Sequence, residues 1–127
     1  MNRNMQIELE ILPDELTVCQ VRDLSDIDLN CGFYFIGRTD REISLVCPTR
    51  DMPANTLNRE DGWRGFRISG TLDFSLVGIL SRLSGLLAES GVGLFAVSTY
   101  DTDYILVKRE SFRKAIDILT KAGYTLA

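Results

Sequence analysis

Hydrophobic and polar positions alternate from the start of the chain. In MQIELEIL (Met5 to Leu12), Ile7, Leu9 and Ile11 fall on one side and Gln6, Glu8 and Glu10 on the other, the period-two pattern of a strand with one buried face. LTVCQVR (Leu16 to Arg22) predicts a second strand after a Pro-Asp turn. DLSDIDLN suits a turn or a single helical turn, and FYFIGRTDREISLVC (Phe33 to Cys47) a hairpin around Arg38 to Arg41. PTRDMPANTLNREDG (Pro48 to Gly62) carries two prolines and many loop formers, and is the candidate linker.

The second half changes period. WRGFRISG (Trp63 to Gly70) has strand composition, while LVGILSRLSGLLAES (Leu76 to Ser90) puts Leu76, Ile79, Leu80, Leu83 and Leu87 on one helical face. Gly91 supplies the stop that a left-handed C-terminal cap needs. VGLFAVST (Val92 to Thr99) and YILVK (Tyr104 to Lys108) are β-rich and joined by a short polar link, which predicts a hairpin. Ser111 is placed to cap a second helix whose Phe112, Ala115, Ile116 and Leu119 share a face, and Gly123 ends it before a last short strand, Tyr124 to Leu126. The order βαββαβ predicts an α+β, ferredoxin-like unit with both helices on one face of an antiparallel sheet, because each crossover is right-handed.

The two halves resemble each other. FIGRTDREISLV aligns with FAVSTYDTDYILV after a one-residue gap, matching Phe35 with Phe95, Thr39 with Thr99 and Val46 with Val107. The preceding strands also correspond, LTVCQV to WRGFRI, so the first half reads as a helix-poor, truncated copy of the second. A sheet with so little helix cannot cover itself, and one structure combining both halves is expected.

Composition narrows the chemistry. A net charge of -4, from 14 basic and 18 acidic residues, disfavours nucleic acid, which is held by excess Lys and Arg. No apolar run approaches membrane-spanning length, so neither a membrane association nor a leader is expected, and the reading is a cytoplasmic protein. Three cysteines, Cys19, Cys31 and Cys47, stand without a close pair and without a single histidine, so reduced, mostly buried thiols are expected and no metal or cofactor site. The absence of histidine removes Ser-His and Cys-His nucleophiles within one chain.

STYDTDY (Ser98 to Tyr104) concentrates two carboxylates, three hydroxyl side chains and two tyrosines. Topology puts its first residues beside the start of the first helix, since the strands before and after that helix are parallel and end at the same edge. Asp73 or Ser75 can cap the helix, its free N–H groups favour a carboxylate, and Gly78 leaves the backbone open to a ligand. A small zwitterion fits: carboxylate on the helix start, ammonium on strand carbonyls or an Asp, side chain against Tyr100, Asp101 or Asp103. Each feature has a plainer explanation, with Gly78 serving close packing, Asp101 and Thr102 shaping a turn, and Tyr104 packing on the sheet. Asp101 and Asp103 as an acid-base pair make a poor enzyme, because water screens carboxylates at a hairpin tip.

FSLVGILSRLSGLLAESGVGLFAVSTYDTDYILV resembles the ACT-domain family, and is similar to small bacterial proteins with paired ACT-like units, to aspartate kinase regulatory domains and to arginine-sensing ACT proteins. The likeness is strong from Trp63 to Tyr124 and weaker from Met5 to Asp61. It implies two ACT-like units, a degenerate one at residues 1–61 and an ACT domain at 62–127, and binding of an amino acid between units. Carried over by motif, the implied ligand contacts are Leu76, Val77, Gly78 and Ile79 at the helix start and Ser98, Thr99, Tyr100 and Asp103 at the hairpin. The first copy departs from the pattern, with Arg38 and Asp40 where the second has Ser98 and Tyr100. The expectation is a non-catalytic regulatory homodimer signalling to a protein partner, and the alternative is a ligand-free interaction or oligomerisation module.

Overall fold

The computed structural model describes residues 7–70 and 78–127. Met5 and Gln6, read above as the start of a strand, and residues 71–77, with the proposed caps Asp73 and Ser75, lie outside the described residues. The elements are β1 (Ile7–Ile11), β2 (Leu16–Val21), β3 (Phe35–Arg38), β4 (Ile43–Pro48), β5 (Asn58–Gly70), α1 (Ile79–Glu89), β6 (Phe95–Ser98), β7 (Asp103–Lys108), α2 (Arg109–Lys121) and β8 (Thr125–Leu126). Short 3-10 turns occupy Leu24–Asp26 and Thr49–Asp51. No helix among the described residues is long and apolar enough to cross a membrane.

The chain divides into two compact units, one of Met1–Pro13 with Arg64–Ala127 and the other of Asp14–Trp63. β1, grouped above with residues 1–61, therefore lies with the second half. It pairs antiparallel with β5, Leu9 opposite Ile68 and Ile11 opposite Phe66, and parallel with β8. The strand order in this unit is β6-β7-β5-β1-β8. A βαββαβ chain alone would set its last strand beside its first; here β1 stands between them. Ile7 and Leu9 complete one apolar face with Phe66, Ile68, Ile105 and Val107, onto which α1 packs Leu83 and Leu87 and α2 packs Ala115, Ile116 and Leu119. Both helices lie on that face, as their order predicts.

The helix ends follow local chemistry. Gly91 has φ 76° and Gly123 φ 105°. In each case a six-to-one bond closes the turn, Val92 N–H to the Leu87 carbonyl and Tyr124 N–H to the Leu119 carbonyl. The starts differ from expectation. α2 begins at Arg109, directly after β7, with Lys108 as its N-cap and no side-chain bond; Ser111 lies inside the helix because β7 runs straight into it. Tyr124 is not in the last strand but buried under the helices.

On the other face of this sheet, Glu10 receives two bonds from Arg67, at 3.0 and 2.7 Å, and Arg67 also donates to the Tyr104 hydroxyl at 3.3 Å. The guanidinium holds the Glu10 carboxyl below the usual carboxylate range, and its own pKa is raised by Glu10 first and Tyr104 second.

In the smaller unit the order is β3-β4-β2-β5, all antiparallel neighbours. Its core holds Cys19, Val21, Ile27, Leu45 and Cys47. Burial pushes the Cys47 thiol up to about 12 and raises Cys19 as well, so both are poor nucleophiles; Cys31 is only half-buried. The expected linker is partly strand. β5 begins at Asn58, and its register against β2 shifts between Leu16 and Val18, opposite Trp63 and Glu60. Gly62, at φ 83°, absorbs the extra residue, so Asp-Gly here forms a bulge instead of a loop. The wholly buried Thr17 hydroxyl pins this place, donating to Asp61 at 2.8 Å and lying 2.8 Å from the Thr49 hydroxyl.

A fragment of residues 62–127 lacks β1, and is expected to show no cooperative urea transition until a peptide spanning residues 5–13 is added. A sharp transition of the fragment alone would show β1 to be dispensable.

Candidate functional site

The β6–β7 hairpin is built around one threonine. Thr99 donates its N–H to the Thr102 carbonyl at 2.9 Å, its hydroxyl donates to the same carbonyl at 2.9 Å, and that hydroxyl accepts the Thr102 N–H at 3.2 Å. The β3–β4 turn repeats the device: Thr39 N–H donates to the Glu42 carbonyl at 2.9 Å, and the Thr39 hydroxyl accepts from Arg41 and Glu42. The repeat seen in the sequence is thus carried by backbone hydrogen bonds. Its alignment changes, however. Phe35 pairs with Val46 and Phe95 with Leu106, equal spacings that leave no room for the gap, so Val46 corresponds to Leu106 and not to Val107. The position of Asp103 is then held by Ile43 in the first copy.

Register sorts the remaining side chains. Ser98 stands directly opposite Asp103, on the same face as Ala96 and Ile105, which is the face the helices cover. The Ser98 hydroxyl donates to the Asp103 carboxylate at 2.5 Å. Thr102, expected to serve only the turn, reaches back to β5 and donates its hydroxyl to the Ile68 carbonyl at 2.6 Å. With the Arg67–Tyr104 bond, this contact shows β7 running antiparallel to β5, so β5 and β6 are parallel and end at one edge.

α1 is the next described element after β5. Gly78 is its N-cap, at φ 77°, and accepts the Arg82 N–H at 2.9 Å. A Cβ on Gly78 would meet nothing within 4 Å. The glycine is there for its backbone angle and not for helix-on-sheet packing, and it stands as the cap before the first turn, where the sequence reading put it inside that turn. Ile79 and Leu80 follow, packed against the core.

Of the eight residues expected at the site, Ser98 and Asp103 are brought into contact, Gly78 and Ile79 form the helix start, and Thr99 spends its hydroxyl on the turn. Tyr100 projects fully into solvent, at 104% relative exposure. Leu76 and Val77 lie outside the described residues. Thr102 is the contributor that sequence reasoning missed. Its signal was faint, because a threonine in a tip is equally at home bonding its own turn. Among the described residues no group of three or more carboxylate or thiol side chains is placed to hold a metal ion.

A βαββαβ sheet with two helices on one face, whose parallel strands β5 and β6 end at one edge, is the ferredoxin-like arrangement. The ACT-domain family model matches residues 58–121, and the chain belongs to the ACT-domain family. Among solved structures it is similar to an Agrobacterium tumefaciens protein, at 32% identity and TM-score 0.85, over 96% of this chain and 92% of that one. A Vibrio cholerae protein of unknown function, described as a possible transport protein, is similar at 19% identity and TM-score 0.76, over 94% and 91%. The regulatory subunit of aspartate kinase from Thermus thermophilus shares the fold at 8% identity and TM-score 0.60, over 91% and 95%. No curated protein matches the chain.

Thr102→Val removes the hydroxyl that ties the hairpin to β5, and is expected to cost about 1 kcal/mol in urea unfolding and to speed hydrogen exchange at the Thr99 amide. Unchanged exchange would mean that the hydroxyl does not hold the tip.

Proposed function

We propose that this protein is a non-catalytic regulatory protein that senses an amino acid or similar small zwitterion at its ACT unit, acting as a homodimer and passing the signal to a protein partner. The observation that carries the reading is the Ser98–Asp103 pair, at the edge where β5 ends, and Gly78 as the cap that opens the helix following β5 supports it. Asp103 offers a carboxylate to an ammonium group. The N–H groups of the first turn of α1 offer donors to a carboxylate. Leu76, Val77 and Ile79 would supply backbone and apolar contacts, Ser98 and Thr99 hydroxyl oxygens, and Tyr100, free in solvent, a ring able to close over a ligand or meet a second copy. The neutral Ile43 at the Asp103 position and Arg38 at the Ser98 position favour one such site per chain.

Thermal melting of the whole chain against each of the twenty amino acids tests the proposal. A true ligand at a hundred times its dissociation constant should stabilise by about 2.7 kcal/mol. Asp103→Asn should abolish that gain. Gly78→Val is a poor test, because φ 77° strains a β-branched residue whether or not a ligand binds; Gly78→Asn, which tolerates that angle, separates the two effects. No shift with any amino acid would favour an ACT-type module that only assembles subunits.

A further inference from the structure

A second polar site lies in the smaller unit. β2 ends at Val21, and the chain leaves through Arg22 and Asp23 into the 3-10 turn Leu24–Asp26. Its antiparallel partner enters through residues 54–57 before β5 begins at Asn58. Leu57 N–H still donates to the Gln20 carbonyl at 2.8 Å, so the two strands stay laddered to this point and then part. Between them opens a cavity of about 610 Å³, lined by Arg22, Asp23, Asp26, Asn55, Thr56 and Leu57. Its size is that of a small-molecule site.

The charges on its wall are divided. Asp23 is engaged, accepting the Ser25 N–H at 2.9 Å as cap of the turn. Arg22 and Asp26 line the same cavity yet form no ion pair, with each other or with another group, among the described residues. An exposed guanidinium and a half-buried carboxylate lining one cavity without pairing suit a molecule that carries both opposite charges. Leu57, 48% exposed, adds an apolar surface for which the unit's own core has no use, and Ala54 lies on the same wall.

We propose that this cavity binds a small aliphatic amino acid, with its carboxylate on Arg22, its ammonium on Asp26 and its alkyl group against Leu57 and Ala54. The site shares no residue with the Ser98–Asp103 edge and stands or falls independently of it. It gives the helix-poor copy a ligand of its own by means other than the hairpin, whose acid it lacks.

The test is a titration of the nitrogen-15-labelled full chain with L-leucine at millimolar concentration, followed by amide shifts. Saturable shifts are expected at Arg22, Asp26, Thr56 and Leu57. Arg22→Gln and Asp26→Asn should each weaken binding about tenfold or more, as loss of a charge-assisted bond does. Asp103→Asn should leave these shifts unchanged. Isocaproate and isoamylamine, each lacking one of the two charges, should not bind. The proposal is overturned by an absence of saturable shifts at these amides, by equal binding of either analogue, or by undiminished affinity in both variants.

Discussion

The pairing of β1 with β5 is the interaction on which the larger unit rests. β5 presents Phe66 and Ile68 to the helices, and β1 adds Ile7 and Leu9 to the same face, all nearly or wholly buried. Without β1, the backbone of β5 from Phe66 to Gly70 would lose the ladder it forms on that side and β8 would lose its neighbour, since Thr125 and Leu126 pair with Glu8 and Leu9. Burial of several large side chains at roughly 1.5 to 3 kcal/mol each is the driving force. Hydrogen bonding then sets the register, because a one-residue slip would turn every apolar side chain of β1 to the opposite face.

The same turn chemistry serves two hairpins with different surroundings. Thr39 and Thr99 close their tips by equivalent bonds, so the backbone frame is shared while the side chains that project from it are not. In one copy the strand ends carry Arg38 and Ile43; in the other they carry Ser98 and Asp103, hydrogen-bonded across the ladder. Ligand chemistry in such a fold is therefore a property of two or three positions on a common scaffold, and the scaffold alone does not assign it.

Much of the fold was legible because its causes are local. The leucine stripe of α1, the apolar face of α2 and the glycines at 91 and 123 act within a few residues, and the chain follows them. The helix starts were less legible. Gly78 caps α1 through a left-handed backbone angle, without the side-chain bond by which caps are usually recognised, and Lys108 caps α2 only because β7 ends there. Asp61-Gly62 has the composition of a loop, yet it lies inside a strand, since Thr17 on a strand more than forty residues away makes a bulge worth keeping.

Sequence by itself determined the element types, the α+β class, the ferredoxin-like order of the second half and the hairpin that carries the polar cluster. It did so through periodicity and turn chemistry, which need no knowledge of distant residues. Only the tertiary structure decided that β1 stands between β5 and β8, that Ser98 meets Asp103 while Thr99 closes the turn, and that Thr102 ties the tip to β5. An alternating apolar strand is equally ready to pair with any neighbour offering a complementary face. A hydroxyl in a tip bonds whichever acceptor comes within reach. Both choices depend on which chain segments the collapsed core brings together, and that is a property of the whole fold.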